Sequence, residues 1–422
     1  MNRIPLRLGI LFCFGSAIAV RAGAATLTLS DCVKLAQARS PVAVRGALEE
    51  SRALAARDDS RRARLPQLVG DGKLTRSDDA TTNLPDDNRG LVRLEQNMTP
   101  WSPEWVRGRQ REAEARAAGF GRVESAQDAE LAVKALYFSI LREEDSVRAL
   151  DQIERELKDL LDTVLPKFTV GRVAAFDPVK VRVALSDLAR TRELLQASLR
   201  GDRTALAQAL GLDGSDGWEL SPLSATPELG DEAAAPRGLL DNPTLEALSE
   251  QLRAAEFGLS AVRRARAGDL SGSADYGYTG QSTSGMIRGW SVSAALRIPI
   301  FDWGRITAQT AAESTAVGLA RNTLEAERQK TTADLIETLA TARAHRADQG
   351  RLTALLPDVK ETALASVARY RRGGAGILEV SDAVNLWLQT LLNERAAFYG
   401  YLSDLARLER LTGGRVKVAY AP

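Results

Sequence analysis

The sequence predicts a mainly helical protein with a smaller β-sheet part, built as a twofold internal repeat. Three features of the chain lead to this prediction. Matching motifs recur at a constant offset of 202 residues, short segments alternate apolar with polar side chains, and long segments carry an apolar stripe with a seven-residue repeat. The alternation is typical of β-strands, and the seven-residue repeat is typical of coiled-coil helices.

The repeat is clearest in the basic segment Arg61-Arg62-Ala63-Arg64, which recurs as Arg263-Arg264-Ala265-Arg266. The same offset relates Ser40-Pro41 to Asn242-Pro243, Leu68 to Leu270, Phe168 to Tyr370, Gly171 to Gly373, Asp177 to Glu379, and Gly211 to Gly413. A basic tetrapeptide could recur by chance on a solvated helix, but several matches at one spacing indicate a duplicated unit. We therefore expect a first structural repeat over 25–211, a linker over 212–240, a second structural repeat over 241–414 and a C-terminal tail over 415–422.

Two pairs of strands are predicted after the opening helices of the repeats, which we place at about 29–65 and 241–267. Alternation is strong from Leu91 to Met98, from Leu270 to Thr279 and from Trp290 to Ile298, and weaker over 67–76. One apolar and one polar face fit either a half-buried soluble sheet or a membrane β-barrel with a wet interior. Four strands cannot close a barrel, so a membrane sheet of this kind requires several chains that pool their strands.

Very long helices are predicted after each strand pair. From Leu136 to Phe168, ten positions follow a seven-residue repeat and eight of them are apolar, the exceptions being Glu143 and Glu154. Such a narrow stripe indicates a coiled-coil seam rather than a broad globular face. A helix over 105–165 would be roughly 90 Å long, which exceeds the usual diameter of a globular domain.

Each long helix is expected to end in a tight reversal, so that the helices form antiparallel hairpins. Glycines suited to a helix C-terminus lie at Gly171 and Gly373. Pro166 and Pro357 are expected to bend or restart the helices that lead to these turns.

The first 24 residues have the pattern of a signal peptide. Arg3 and Arg7 accompany an apolar run from Leu8 to Val20, and Ala22-Gly23-Ala24 offers a small-residue cleavage site. A retained membrane anchor is the alternative, but this run is shorter than the roughly 20 residues that a spanning helix needs. The formal net charge of +1 gives no electrostatic reason to expect nucleic acid as a partner.

Several motifs in order resemble the TolC family of outer-membrane efflux proteins. They are Leu27-Thr28-Leu29 with Asp31, Arg64-Leu65-Pro66, the segment Pro299-Ile300-Phe301-Asp302-Trp303-Gly304-Arg305, the tip Tyr370-Arg371-Arg372-Gly373, and Ile377-Leu378-Glu379-Val380 with Asp382-Ala383. The resemblance covers nearly all of the mature chain. The segment at 299–305 resembles the family's junction between strand and helix. Its counterpart in the first half is Pro100-Trp101-Ser102-Pro103-Glu104-Trp105, and this junction diverges from the family pattern.

The resemblance implies a homotrimer in the bacterial outer membrane, with its helices in the periplasm. Four strands from each chain would form a twelve-stranded β-barrel, and the coiled-coil hairpins would continue it as a trimeric α-barrel. The implied function is the exit duct of a tripartite efflux or type I secretion system, served by a periplasmic adaptor protein and an inner-membrane pump. The alternative is a periplasmic coiled-coil adaptor, although an adaptor ordinarily has a single hairpin.

The family also implies an entrance at the periplasmic tips of the hairpins. Glu379 and Asp382, with Asp177 at the equivalent place in the first repeat, would be entrance carboxylates, and three copies would favour cations. The alternative for Glu379 and Asp382 is two solvated acids at a helix start. Tyr370 matches a tyrosine that keeps the entrance shut, with ordinary core packing as its alternative, and Phe168 is its counterpart. The family's lock can also use an arginine two residues after the tip glycine, where this chain has Ala375.

Two further groups of residues complete the expected sites. The turn residues Gly171, Arg172, Arg372 and Gly373 are candidates for docking the adaptor, or serve only as turns. Tyr276, Tyr278 and Trp290 are candidates for an aromatic girdle at the membrane interface, or are ordinary strand residues.

An enzyme is not expected. The single histidine, His345, has no nearby His or Cys in the sequence, which disfavours a metal site or a histidine-based triad. The Gly-Gly pairs at 373–374 and 413–414 lack the Lys-Ser/Thr of a phosphate-binding loop, so we expect no cofactor.

Overall fold

The computed structural model describes residues 25–74, 88–97, 103–212, 214, 217–223, 227, 241–280, 285–415, 418 and 420. The expected signal peptide lies outside the described residues, as do the first three residues of the junction at 100–105. Within the part described, no helix is both long and apolar enough to cross a membrane.

The elements follow one order in each half of the chain: an opening helix, two strands and a long helical hairpin. In the first half they are β1 (Ala25–Leu27), α1 (Leu29–Arg39), α2 (Pro41–Arg62), β2 (Gln67–Lys73), β3 (Asn88–Asn97), α3 (Pro103–Thr169) and α4 (Phe176–Leu210). After β4 (Trp218–Leu220), the second half has α5 (Pro243–Arg264), β5 (Asp269–Gly280), β6 (Ile287–Arg297), α6 (Arg305–Arg371) and α7 (Ile377–Leu411). Among these helices, α3 and α6 have 67 residues each, and α4 and α7 have 35 each.

Two of the helices in the predicted opening segments, α2 and α5, begin at prolines. Pro41 and Pro243 occupy the first turns of α2 and α5, where a missing backbone N–H costs no hydrogen bond. Asn242 caps α5, because its side chain accepts a hydrogen bond from the backbone N–H of Thr244 at 2.9 Å. In the first half the helix is interrupted at Ser40, which separates α1 from α2.

Strands β2, β3, β5 and β6 form one antiparallel sheet in that order. Opposite residues in an antiparallel ladder share a face. One face is mostly apolar, with rows such as Leu68, Leu94, Ala274 and Val292, and Gly70, Val92, Tyr276 and Trp290. The other face carries rows such as Val69, Arg93, Asp275 and Ser291, and Gln67, Glu95, Ser273 and Ser293. The predicted alternation therefore corresponds to two chemically distinct faces.

The helices form two antiparallel hairpins, in which α3 packs against α4 and α6 against α7. At 1.5 Å per residue, α3 and α6 are each about 100 Å long. A core cluster between the hairpins contains Leu150, Leu157, Val181, Val367 and Trp387, all nearly or fully buried. The apolar stripe predicted from Leu136 onwards thus forms the seam that joins the helices.

Of the two predicted effects of Pro166 and Pro357, a restart does not occur, because α3 and α6 continue through both residues, and a bend stays a prediction. A proline in a helix removes one backbone hydrogen bond, and the packing of the long hairpins offsets that loss. Pro166 lies in the last turn of α3, where the cost is smallest because few turns follow it.

The segment 212–240, predicted as a linker between the repeats, also contributes to a core. Strand β4 lies in this segment and pairs in parallel with β1, Ala25 opposite Trp218 and Leu27 opposite Leu220. Trp218 and Leu220 are both buried, in a core cluster that includes Tyr137 and Leu206. Burying these large side chains is favourable enough to order a short strand within a segment rich in Gly, Pro, Ser and Asp.

Candidate functional site

The two hairpin turns share one backbone conformation. In the first, the N–H of Gly171 donates to Phe168 O and the N–H of Arg172 to Lys167 O, each at 2.9 Å. In the second, Gly373 N–H donates to Tyr370 O and Gly374 N–H to Arg369 O, again at 2.9 Å. This pair of bonds is a Schellman motif, which needs a residue of positive φ. Gly171 and Gly373 supply it, with φ of 70° and 82°.

The turns are exposed at one end of the hairpins. Gly171, Arg172, Arg372 and Gly373 are all exposed. Within the described part of the chain, the guanidinium of Arg372 donates only to the carbonyl oxygen of Ala368, one turn earlier, at 3.3 Å. The structure thus places the four predicted docking residues together on an open surface and leaves Arg372 available to a partner.

Tyr370 joins the two hairpins just behind the turns. Its hydroxyl donates a hydrogen bond to Asp177 Oδ2 at 2.6 Å. The tyrosine lies at the end of α6 and the aspartate in the first turn of α4. Burial raises the pKa of Tyr370, and the carboxylate of Asp177 raises it further, so the phenol stays a proton donor at every physiological pH.

Phe168, the counterpart of Tyr370, is 41% exposed, whereas Tyr370 is 4% exposed. Its ring has no hydroxyl with which to reach an acid. The two equivalent positions therefore differ in environment, and of the two side chains only Tyr370 can donate a hydrogen bond to the other hairpin.

Glu379 and Asp382, the predicted entrance carboxylates, lie on the first two turns of α7, and both are exposed. Glu379 Oε1 accepts a hydrogen bond from Arg369 Nη1 at 2.8 Å. The same guanidinium donates through Nη2 to the carbonyl oxygen of Gly374 at 3.1 Å. Among the described residues, none forms an ion pair or a hydrogen bond with the carboxylate of Asp382.

Sequence reasoning missed Arg369 and Lys167, which contribute to this site. Lys167 Nζ donates to the carbonyl oxygen of Arg371 at 2.5 Å and lies 5.7 Å from the centroid of the Tyr370 ring. It therefore makes a second link between the hairpins. The internal repeat could have pointed to both residues. A basic residue followed by an aromatic one, Lys167-Phe168, recurs 202 residues later as Arg369-Tyr370.

The three predicted girdle residues lie on the apolar face of the sheet. Tyr276 is directly opposite Trp290 in the ladder, and Tyr278 is opposite Arg288. Their exposures are 49% for Tyr276, 50% for Tyr278 and 78% for Trp290. The guanidinium of Arg288 lies 5.2 Å from the Tyr276 ring centroid, which places a cation beside the aromatic pair.

His345 makes a structural contact rather than a metal site. Its Nδ1 lies 2.8 Å from Asp404 Oδ2 and so joins α6 to α7. The imidazole sits against Gly400, where a Cβ would come within 3.2 Å of three ring atoms. No group of three His, Cys, Asp or Glu side chains among the described residues could hold a metal ion.

Comparison with known proteins relates this fold to outer-membrane proteins. Residues 236–414 match the family model for outer membrane efflux protein. A comparison with curated proteins finds no relative that matches the chain. Solved structures match over almost the whole length at low sequence identity, so their likeness concerns the fold.

Three of these structures illustrate the fold. A crystal structure of CusC, described in terms of transmembrane channel formation, has a TM-score of 0.84 and 16% identity and covers 94% of this chain and 96% of its own. The CmeC outer membrane channel of Campylobacter jejuni has a TM-score of 0.82 and 16% identity, with 92% of this chain and 85% of its own covered. The outer membrane protein VceC of Vibrio cholerae has a TM-score of 0.83 and 14% identity, with 92% of this chain and 96% of its own covered.

The family model and the solved structures agree, since both comparisons lead to outer-membrane proteins. The predicted resemblance to outer-membrane efflux proteins is therefore confirmed, by sequence over residues 236–414 and by fold over nearly the whole chain.

Proposed function

We propose that three copies of this chain form an outer-membrane exit duct for efflux or type I secretion. The observation that carries the proposal is the four-stranded sheet, whose faces differ in polarity and whose edge strands β2 and β6 each have one described neighbour. An exposed apolar face favours contact with lipid, and free edges favour pairing with another copy.

In the proposed trimer, β6 of each copy pairs with β2 of the next, so that twelve strands close into one barrel. The apolar face, with Trp290, Val292 and Leu296 at exposures of 62% or more, faces lipid. The face with Arg93 and Asp275 lines the lumen. Closure leaves no strand edge unpaired, which removes the cost of unsatisfied backbone groups in a membrane.

The long helices continue the duct into the periplasm. Apolar side chains recur on one side of α4 at Phe176, Val179, Val183 and Leu194, all 48% or more exposed. Residues spaced three, four and eleven apart lie on the same helix face, and such a stripe is stable when a neighbouring helix covers it. We assign a hairpin of the neighbouring copy to this face.

The hairpin tips form the periplasmic entrance in this proposal. The Tyr370–Asp177 and Lys167–Arg371 contacts hold the two hairpins of one copy together, and Glu379 and Asp382 line the opening. The exposed turns carrying Arg172 and Arg372 dock a periplasmic adaptor that connects to an inner-membrane pump. Residues 1–24 act as the signal peptide that directs export.

Direct tests are fractionation, native mass and conductance. The full chain should be recovered in the outer membrane as a trimer with heat-modifiable gel mobility, and it should form channels in planar bilayers. Recovery as a soluble periplasmic monomer would contradict the proposed duct.

A matched pair of variants tests the orientation of the sheet. Val292→Arg places a cation on the apolar face, where a charge near the middle of a bilayer costs about 2–4 kcal/mol. Ser293→Arg places the same charge one residue away, on the polar face opposite Ser273. We expect Val292→Arg alone to reduce the amount of assembled trimer in the outer membrane. Equal losses from both variants would argue against one lipid face and one lumen face.

A further inference from the structure

Four charged side chains on the polar face of the sheet form a continuous network, which we call the charge belt: Asp71, Arg89, Arg93 and Asp275. Arg93 Nε lies 2.6 Å from Asp275 Oδ1. Asp71 Oδ2 lies 3.6 Å from Arg93 Nη1 and 3.4 Å from Arg89 Nη2. Ser291 Oγ donates to Asp275 Oδ2 at 3.3 Å, so all four strands contribute to the network.

The strand register explains why these side chains meet. Arg93 and Asp275 are directly opposite one another in the β3–β5 ladder, where Cβ atoms are about 5 Å apart. Asp71 is opposite Leu91, so it lies diagonally between Arg89 and Arg93. Its row continues through Gly277 and Gly289, which have no side chains to cover the network. The belt therefore runs across the polar face of the sheet and stays accessible on that side.

The charges on this face balance. Among the described strand residues, the acids on the polar face are Asp71, Glu95, Asp269 and Asp275, and the bases are Lys73, Arg89, Arg93 and Arg297. Arg93 is 30% exposed and Asp275 is 15% exposed, so both partly contact solvent. A paired charge presents a much smaller field to a passing ion than an isolated one. The helix tips differ, because Asp382 is an exposed acid without a described partner.

We propose that the charge belt keeps the sheet section of the duct unselective between anions and cations, because the Arg93–Asp275 pair cancels a ring of charge there. This inference rests on the proposed function, because it takes the polar face as the lumen wall. With the pair intact, the sheet section passes small anions and small cations alike. Selectivity for cations then arises only at the helix tips.

Three variants separate this role from a merely structural one. Asp275→Asn leaves Arg93 without its nearest acid and adds three net positive charges to the lumen of a trimer. Arg93→Gln exposes Asp275 and adds three net negative charges. The double variant R93Q/D275N has no net change of charge. A structural role predicts that the double variant is the most disturbed, whereas the charge belt predicts that it behaves like the wild type.

The experiment is the reversal potential of purified trimer in planar bilayers under a potassium chloride gradient. We expect Asp275→Asn to lower the cation-to-anion permeability ratio about twofold at 0.1 M salt, and more at 0.01 M, because the screening length grows from about 10 Å to about 30 Å. Arg93→Gln should raise the ratio, and R93Q/D275N should restore the wild-type value. Asp71→Asn, which removes the acid at 3.4 and 3.6 Å, should shift the ratio in the same direction as Asp275→Asn.

The outcomes distinguish the two levels of the proposal. If wild-type protein forms no channel, the proposed duct fails. If it conducts while none of the assembled single variants changes the permeability ratio, the duct stands and the charge belt is overturned. If neither Asp275→Asn nor Asp71→Asn assembles while R93Q/D275N also fails, the network is structural, which likewise overturns its assignment to specificity.

Discussion

The hydroxyl of Tyr370 donates a 2.6 Å hydrogen bond to Asp177 Oδ2, and this bond connects the second helical hairpin to the first near their tips. A hydrogen bond to a charged acceptor contributes about 1.5–3 kcal/mol when it is partly shielded from water. Tyr370 is 4% exposed, so this bond is well shielded on the tyrosine side. In the proposed duct it favours the closed arrangement of the entrance.

Removing this bond should open the entrance more often. Tyr370→Phe keeps the ring and deletes only the donor, so we expect a higher open probability of the channel at low voltage, by roughly tenfold for each 1.4 kcal/mol lost. Asp177→Asn should act in the same direction. Single-channel recording measures the effect, and Phe168→Leu is the matched control at the equivalent, exposed position. An open probability equal to that of the wild type in both variants would remove this bond from the gate.

The entrance acids should contribute unequally to cation selectivity. The carboxylate of Glu379 is held by Arg369 at 2.8 Å, whereas no described residue neutralises Asp382. We therefore expect Asp382→Asn to lower cation selectivity more than Glu379→Gln does. Arg369→Gln should raise it, since that variant frees Glu379. The permeability ratio of the reconstituted channel is the measurement, and a larger loss in Glu379→Gln would contradict this order.

A buried acid in the first hairpin should make stability depend on pH. Glu143 is 1% exposed, and its Oε2 has no described hydrogen-bond partner. Burial raises the pKa of Glu143, an effect that a hydrogen bond from Ser198 partly opposes and that nearby Asp202 reinforces. The folded protein therefore holds this proton to a higher pH than the unfolded chain does. The stability from this group is complete below about pH 4.3, and it is lost as pH rises through the folded pKa.

Melting curves between pH 4 and pH 8 test this sign. Relative to Glu143→Gln, which stays neutral, the wild type should lose thermal stability as pH rises. The matched control is Glu144→Gln on the adjacent residue, whose carboxylate pairs with Arg203 at 3.1 Å. A wild-type protein that gains stability over Glu143→Gln with rising pH would show the opposite linkage.

Periodicity explains how far the sequence alone could predict this fold. The stripe from Leu136 to Phe168 indicates which side of α3 packs: its positions 140, 143, 150, 157 and 164 are buried, Glu143 among them, whereas Phe168 at its end is 41% exposed. His345 lies 202 residues after Glu143 and holds the equivalent position in α6. It contacts Asp404, which is the counterpart of Asp202 in the first half. The 202-residue offset therefore relates polar contact positions as well as apolar ones, although their burial differs: Glu143 is 1% exposed, whereas the His345 side chain is 40% exposed.

Contacts between segments that are far apart in the chain could not be predicted from the sequence. Strand β4 has three residues, too few for a period to be seen, and its pairing with β1 joins positions almost 200 residues apart. The role of Arg369 depends on a side chain reaching back across the turn to Glu379, which no spacing rule specifies. Local pattern thus predicts elements and faces, while side-chain reach and non-local pairing decide which residues meet.

The pairing of β4 predicts that the linker contributes to stability. Trp218 is 7% exposed in a core cluster, and the guanidinium of Arg203 lies 5.0 Å from its ring centroid. Truncating a buried tryptophan to alanine typically costs about 3–5 kcal/mol. We therefore expect Trp218→Ala to lower the melting temperature of the detergent-solubilised protein by several degrees. Glu219→Ala is the matched control, because Glu219 is the adjacent, exposed residue of the same strand. If both variants melt like the wild type, β4 does not anchor the linker to the helical core.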